Sequence, residues 1–378
     1  MGAHRPRPPR ALRSGAIVSA LFWISAGLLA YAQAGYALVV GALARLKPRP
    51  GGGAVGAPTR AALVIAAHDE EAVIERRVRN ALDLDWPREM LRVVVACDGC
   101  TDATAERARA AGADLVLDLP RGGKVRAQDA AVEATAAELI AFSDANAVWE
   151  LDALKRLAAV FTDPEVGYAC GRVTFTNETG TNQEGLYWRY ELWLRERESR
   201  FASVTAGNGA IYAVRRAAYL KVDPIMGHDL SLPFNLVKRG WRAVYVPGAR
   251  ATEKMVPSVE GEFARKRRMM GHTWPIVVRG GLVDPRGYPP RYALLVASHR
   301  VLRYATPFLH AALLIASLRR PWALASQLTL LGAAASGRTR AGLVARYYVL
   351  TTASIALGLY DWLRHGTEAG WDPVEEAR

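Results

Sequence analysis

Five short stretches of this chain carry residue types that could handle a phosphorylated ligand. Asp144-Ala145-Asn146 sets a carboxylate beside a second oxygen donor, a pair that suits a hard divalent cation also touching phosphate oxygens. The same Asp144 could instead cap a helix starting near Glu150 or Leu151. Gly122-Gly123-Lys124 offers flexible backbone donors and one cation ahead of a helix N-terminus, which suits a diphosphate. It also reads as a simple exposed loop, and the G-x-x-x-x-G-K spacing of a Walker loop is absent. In Asp98-Gly99-Cys100-Thr101-Asp102 the first carboxylate could accept from a ribose or base, against a plain Asx turn and N-cap. Asp229, after His228, would serve as a general base if partly desolvated, or as the N-cap of a helix beginning around Leu230. His228 alone reads as a supporting or surface residue. Arg265-Lys266-Arg267-Arg268, followed by Gly271, His272 and Trp274, points its cations round a helix in several directions. One or two could neutralise a leaving diphosphate; most read as a basic surface facing a membrane.

Other chemistries find less support. Cys97 and Cys100 form a C-x-x-C, but no second pair exists and Cys170 stands apart, so a redox pair or zinc site is disfavoured. H-E-x-x-H, G-x-S-x-G and a G-x-G-x-x-G after the first strand are all missing, which weighs against hydrolase and dehydrogenase readings.

The elements that must position these residues follow from hydrophobic pattern. Leu63–Ala67 stops at His68-Asp69-Glu70, Val93–Cys97 at Asp98, Leu115–Leu117 at Asp118, and Leu139–Phe142 at Ser143-Asp144. Continuous apolar runs of this length read as strands buried on both faces of a parallel sheet. Helical patterns alternate with them at 70–82, 101–111, 125–137 and 152–161, which implies βαβ units. In such sheets ligands bind at the carboxyl ends of the strands, so the scattered polar residues should converge. After Val166 the rhythm changes: helices are expected at 184–201 and 258–272, and short strands at 211–214 and 243–246.

The ends of the chain are apolar. Residues 16–44 contain no charge and exceed the roughly 20 residues a membrane span needs; the run is longer than a signal-peptide core. Further apolar stretches lie at 304–318, 322–335 and 343–363. The sequence therefore divides into a basic tail (1–15), a transmembrane helix (16–44), a Pro/Gly linker (45–59), a catalytic-type α/β domain (60–285), an amphipathic or interfacial segment (286–303), two to three membrane helices (304–363) and an acidic tail (364–378). The net charge of +13 would first suggest nucleic acid. Much of it, however, flanks the apolar segments, as at Arg5, Arg7, Arg10, Arg13, Arg300, Arg303, Arg319 and Arg320, a pattern that suits anionic lipid headgroups. Three cysteines in 378 residues imply no disulfide framework and a reducing compartment.

Taken in order, the motifs resemble those of inverting family 2 glycosyltransferases. HDEEAVIERRVRNAL is similar to the family's opening segment, CDGCTDAT to its D-G-S-T-D turn, RGGKVRAQDAAV to its G-G-K loop, and FSDANAVWELDAL to its D-x-D region. GNGAIYAVRR and GHDLSLPFNLVKRGWRAVYVP resemble the acceptor-side and catalytic-base segments. The resemblance covers about 60–274 and implies an α/β fold of GT-A type: a Rossmann-like nucleotide-sugar-binding domain with a mainly parallel sheet, here flanked by transmembrane helices. It further implies that His68, Glu70 and Asp98 contact the nucleoside and that Lys124 meets the diphosphate. Asp144, with Asn146, would hold Mg2+ or Mn2+, and Asp229 would take the acceptor's proton. Arg268 and Trp274 fall on the donor side; Gly207, Asn208, Gly209 and His228 fall on the acceptor side. Asn146 stands where a second Asp is common, and Asp69 and Cys100 replace Asn and Ser. The Q-x-x-R-W motif of processive cellulose and hyaluronan synthases is absent.

The expected protein is a multi-pass inner-membrane glycosyltransferase with its catalytic domain in the cytoplasm. A nucleotide sugar, first among them a UDP-sugar, would be its donor, and a lipid-linked or glycan acceptor its second substrate. Membrane lipids, and proteins for export or assembly, would be its partners, and no nucleic acid is expected. A processive synthase of the same superfamily and a non-catalytic membrane scaffold are the alternatives.

Overall fold

The computed structural model describes residues 10–46, 58–176, 183–254 and 259–370. Most of the basic tail, the Pro/Gly linker and residues 371–378 of the acidic tail lie outside them. The chain begins with a continuous helix made of α1 (Arg10–Ala30), a π turn and α2 (Tyr36–Arg45). Then follow β1 (Ala61–Ala67), α3 (Ile74–Leu82), β2 (Leu91–Asp98), α4 (Thr104–Ala110), β3 (Leu115–Leu119), α5 (Lys124–Glu133), β4 (Leu139–Asp144), β5 (Val148–Trp149) and α6 (Ala153–Ala159). The second half contains β6 (Val166–Thr176), α7 (Gln183–Phe201), β7 (Tyr212–Arg215), α8 (His228–Lys238), β8 (Arg242–Lys254) and α9 (Val259–Val278). It closes with α10 (Pro290–Leu295), a π segment, α11 (Leu302–Ser317), α12 (Pro321–Ser336) and α13 (Arg340–His365).

The strands form one sheet in the order β3-β2-β1-β4-β7-β6-β8-β5. β3, β2, β1 and β4 run parallel, and β7 is antiparallel to both its neighbours. The apolar runs are buried on both faces: Ala62 and Val64 of β1 enter one core, while Leu63 and Ile65 enter the other. α3, α4 and α6 cover the second core. α5, α7, α8, α9, α10, α11 and α13 cover the first, which also takes in Tyr36 and Val40 of α2.

The first four strands fall where the apolar runs predict them, and their helices are shorter than expected. Residues 101–103 form a loop instead of helix, because Asp69 accepts from Thr101 N (2.7 Å) and Asp102 caps Thr104 N (3.0 Å). Besides the two-residue β5, two features have no counterpart in the sequence reading. One is the eleven-residue β6. The other is the extension of β8 beyond Val246, where the register with β6 jumps from Cys170/Tyr245 to Arg172/Arg250 and lets Pro247-Gly248 loop out.

Among the described residues, two helices, Gly15–Arg45 and Arg340–His365, are long and apolar enough to cross a membrane. α11 and α12, of 16 residues each, fall short of a full span of about 20. The segment expected at an interface (286–303) is instead packed into the first core: Tyr292 is buried and donates to Val204 O at 3.0 Å.

Candidate active site

The carboxyl ends of β1 and β4 meet at a cavity of about 660 Å³. It lies at the reversal of strand order, where open α/β sheets bind ligands. β4 delivers Asp144, and the turn after it delivers Asn146. α5 begins at Lys124, whose ammonium pairs with Asp144. Burial depresses this ammonium, but the charge and hydrogen bond of Asp144, with the charges of Asp229 and Glu253, together outweigh it and hold Lys124 above its ordinary value. The loop 207–209 closes the opposite wall. A Cβ on Gly209 would stand 3.2 Å from Asp144 Oδ2 and 3.3 Å from Lys124 Nζ, so glycine preserves the space beside the pair.

Asp229 lies in the first turn of α8 and faces the same cavity. Burial raises its carboxyl above the ordinary range and Asp144 adds to the rise, against the pull of Lys124. Its carbonyl accepts from Gly207 N at 2.7 Å. A Cβ at Gly207 would overlap the Tyr168 hydroxyl at 1.8 Å, so the loop comes this near only without a side chain. Asn208 staples the loop: its Nδ2 donates to Gly171 O (2.8 Å) and its Oδ1 accepts from Ile211 N (2.9 Å). His228 is buried, with Nδ1 3.0 Å from the Tyr212 hydroxyl and Nε2 without a partner among the described residues. Burial, aided by the Lys124 charge, pushes its imidazole from 6.5 down to about 3, so it is neutral.

The cavity thus brings together Glu70, Lys124, Asp144, Asn146, Gly207, Asn208, Gly209, His228, Asp229 and Arg268. Three residues assigned to the donor side do not line it. Asp98 is turned inward, where its carboxylate accepts from Gly122 N (2.6 Å) and Gly123 N (3.0 Å). It therefore cinches the glycine loop, and those two N–H groups are already engaged. His68 braces the same turn through Nδ1 and Asp98 O, 2.7 Å apart. Trp274 is buried and donates to Ile355 O at 2.9 Å, which fastens α9 to α13.

The basic run departs from expectation in the other direction. Arg265, Lys266 and Arg268 all line the cavity, and only Arg267 of the four turns away, to a two-pronged pair with Asp361 on α13 (2.6 and 2.7 Å). At 100° per residue, positions 265 and 268 share a face and 267 lies on the far side.

Sequence reasoning missed Arg195, Arg300, Arg303 and Glu253, which also line the cavity. Arg195 is buried and donates to Gly207 O (3.0 Å). Burial, with the charge of Asp144, raises the Glu253 carboxyl to about 8. Strand alternation carried past Val246 is the only signal that could have found it. Ala369 of the acidic tail also reaches the cavity, and its carbonyl would lie 2.1 Å from a Cβ on Gly123. Gly123, at φ +94°, thus meets both demands on a glycine: left-handed backbone and close approach.

An α/β domain with a carboxylate, an amide and a lysine at the strand ends, facing a desolvated aspartate, has the architecture of a sugar-nucleotide transferase. The model of "Glycosyltransferase like family 2" matches residues 58–271, more than half the chain, and the protein belongs to that family. Curated relatives include an N-acetylglucosaminyltransferase of Rhizobium meliloti (28% identical over 210 residues, 50% of this chain and 49% of that protein). Another is a beta-monoglucosyldiacylglycerol synthase of Nostoc (26% over 193 residues, 47% and 41%). The chain spans about half the length of the curated relatives it matches. Among solved structures, a mannosyltransferase from Pyrobaculum calidifontis, in complex with GDP-Man and Mn2+, superposes with a TM-score of 0.75 over 92% of this chain and 98% of its own, at 21% identity. At that identity the likeness speaks to fold.

Proposed function

We propose that the protein is a membrane-bound glycosyltransferase that moves a sugar from a nucleotide-sugar donor, first among them a UDP-sugar, to a lipid-linked or glycan acceptor with inversion. The observation that carries this reading is the convergence of Lys124, Asp144 and Asp229 on one cavity at the strand ends. The donor diphosphate lies against Lys124 and the cations of α9. The acceptor enters between the 207–209 loop and α8, where Asp229 accepts its hydroxyl proton as that oxygen attacks the anomeric carbon from the face opposite the departing nucleotide. Alignment of the two substrates supplies much of the rate.

The residues fit a divalent cation. Asp144 and Asn146 provide hard oxygens, and the gap kept open by Gly209 gives it room. Asp144 would hold Mg2+ or Mn2+ with Asn146 beside it, and the cation would offset charge on the leaving diphosphate. Membrane attachment is supported by the two long apolar helices. Thr351, Ser354 and Ile355 of the second of these line the cavity, which opens the site to an acceptor held at a membrane. We place the catalytic domain on the cytoplasmic side of the inner membrane.

The test is nucleotide release by the full chain in detergent, with Mg2+ or Mn2+ and membrane lipids, across UDP- and GDP-sugars. One donor should turn over, Asp144→Ala should abolish release, and Asp229→Asn should lower kcat by about 10²–10⁴-fold with donor binding intact. Unchanged turnover in Asp229→Asn would overturn the assignment of the base.

A further inference from the structure

Resting on the transferase reading above, we propose that Glu253 is a direct ligand of the divalent cation, completing with Asp144 and Asn146 a site built from two distant parts of the chain. The placement comes from strand register. β5 follows the Asp144-Ala145-Asn146 turn and pairs antiparallel with the end of β8, Val148 opposite Thr252 and Trp149 opposite Ala251. Continuing that register by one step sets Glu253 beside residue 147, next to the turn. On its other edge β8 is fixed by the parallel pairing of Glu253 with Phe175. Glu253 is thus fixed in the sheet by β6 and follows directly on the residue that β5 pairs.

Its chemistry fits the role. Glu253 lines the same cavity as Asp144, Asn146 and Lys124, and its Oε1 is buried with no hydrogen-bond partner among the described residues. A buried carboxylate oxygen without a donor is costly, and it lies within electrostatic reach of a second carboxylate, Asp144. Of the two cations whose charge reaches Glu253, Lys124 is engaged with Asp144, and Arg265 makes no hydrogen bond to Oε1. A divalent cation between Asp144 and Glu253 would turn two repelling carboxylates into a ligand pair and give the orphaned oxygen a partner. Mg2+ and Mn2+ favour oxygen sets of this kind. Asn146, a neutral donor, then needs to contribute no charge.

The experiment measures Mn2+ binding to the full chain in detergent, by the loss of the free-ion EPR signal, with UDP or GDP present. Glu253→Gln should weaken Mn2+ by at least about tenfold, as changes around a metal commonly do. Glu253→Asp, which keeps the charge but withdraws the oxygen by one methylene, should weaken it as well; Asp144→Asn serves as the reference loss. Wild-type affinity in Glu253→Gln would overturn the proposal, and wild-type affinity in Glu253→Asp would reduce Glu253 to a bystander charge and overturn direct ligation. If the variants fail to fold, carbodiimide labelling of the wild-type protein decides: Mn2+ added to the nucleotide complex should protect Glu253, and equal labelling with and without Mn2+ refutes ligation. If wild type itself binds no Mn2+ with either nucleotide, the ligand proposal falls, while the transferase reading stands or falls on nucleotide release, which separates the two failures.

Discussion

His228 should make the folded protein acid-sensitive, and the size of the effect can be worked out. Its ring is sealed against Phe142 and Tyr219, edge-on at 5.8 and 5.9 Å, and Nδ1 is committed to Tyr212. In the unfolded chain the imidazole takes up a proton near 6.5; in the fold it does so only near 3. A group depressed in this way contributes stability above its unfolded value and loses that contribution as pH falls toward the folded one. Each unit in that window is worth about 1.4 kcal/mol, so moving from pH 7.5 to 4.5 removes about 3 kcal/mol through this one ring. His228→Gln fills the site without titrating. Wild type should be the more stable at pH 7.5 by the worth of its aromatic packing. That advantage should shrink by about 3 kcal/mol at pH 4.5, or about 5–10 °C in Tm for a domain of this size. Thermal unfolding of both proteins in detergent over this range is the assay, because taking the difference cancels every other titrating group. A stability gap that stays constant with pH would refute the claim that His228 is held neutral.

Other substitutions probe the rest of the site. Asp98→Ala strands the N–H groups of Gly122 and Gly123; at about 1.5–3 kcal/mol for a bond to a charged group, it should lower stability by at least about 2 kcal/mol and raise donor KM, read by thermal unfolding and steady-state kinetics. Lys124→Ala should raise donor KM by about 10–100-fold through loss of one charge-assisted contact, and also removes the partner of Asp144. Gly207→Ala drives a methyl into the Tyr168 hydroxyl and should cost about 3 kcal/mol by overpacking, measured as a lower Tm. Trp274→Phe loses the bond to Ile355 and part of the buried ring's packing on Tyr304 and Phe308; it should cost about 2 kcal/mol and leave donor KM alone, whereas a raised KM would return Trp274 to the donor site.

Much of this architecture is legible in the sequence, for reasons that differ from element to element. β1, β2 and β4 can be read because they are buried on both faces and so run apolar without a break. β6 and the distal half of β8 cannot, because Gly167, Gly171, Pro247 and Gly248 look like breakers. In the fold Gly171 is a point of close approach, a Cβ there meeting Ala249 O at 2.5 Å, and Pro247-Gly248 falls in a jump of register. The site follows the same logic. Asp144, Lys124 and Asp229 each end or begin an element, so topology alone brings them together. Asp98 also ends a strand, but its work lies in bonds to a loop that no local pattern connects to it. Glu253 and Arg195 depend on tertiary pairings outside any motif.

The inward turn of Asp98 changes how the donor site should be pictured. A glycine loop with free N–H groups would bind phosphate through its backbone, as helix N-termini do. Here two of those donors are spent on a buried carboxylate, and the loop is held as a fixed platform from which Lys124 projects. On the proposed transferase reading, phosphate recognition would shift to side-chain cations that line the cavity, Lys124 on one wall and Arg265, Lys266 and Arg268 on the other. The second wall belongs to α9, which Arg267–Asp361 and Trp274–Ile355 tie to α13, one of the two helices able to cross a membrane. The cations facing the donor are thus anchored to the same helix whose Thr351, Ser354 and Ile355 line the cavity. Any displacement of α13 by a lipid or an acceptor would be felt at the diphosphate wall through two direct contacts, without a change in the sheet.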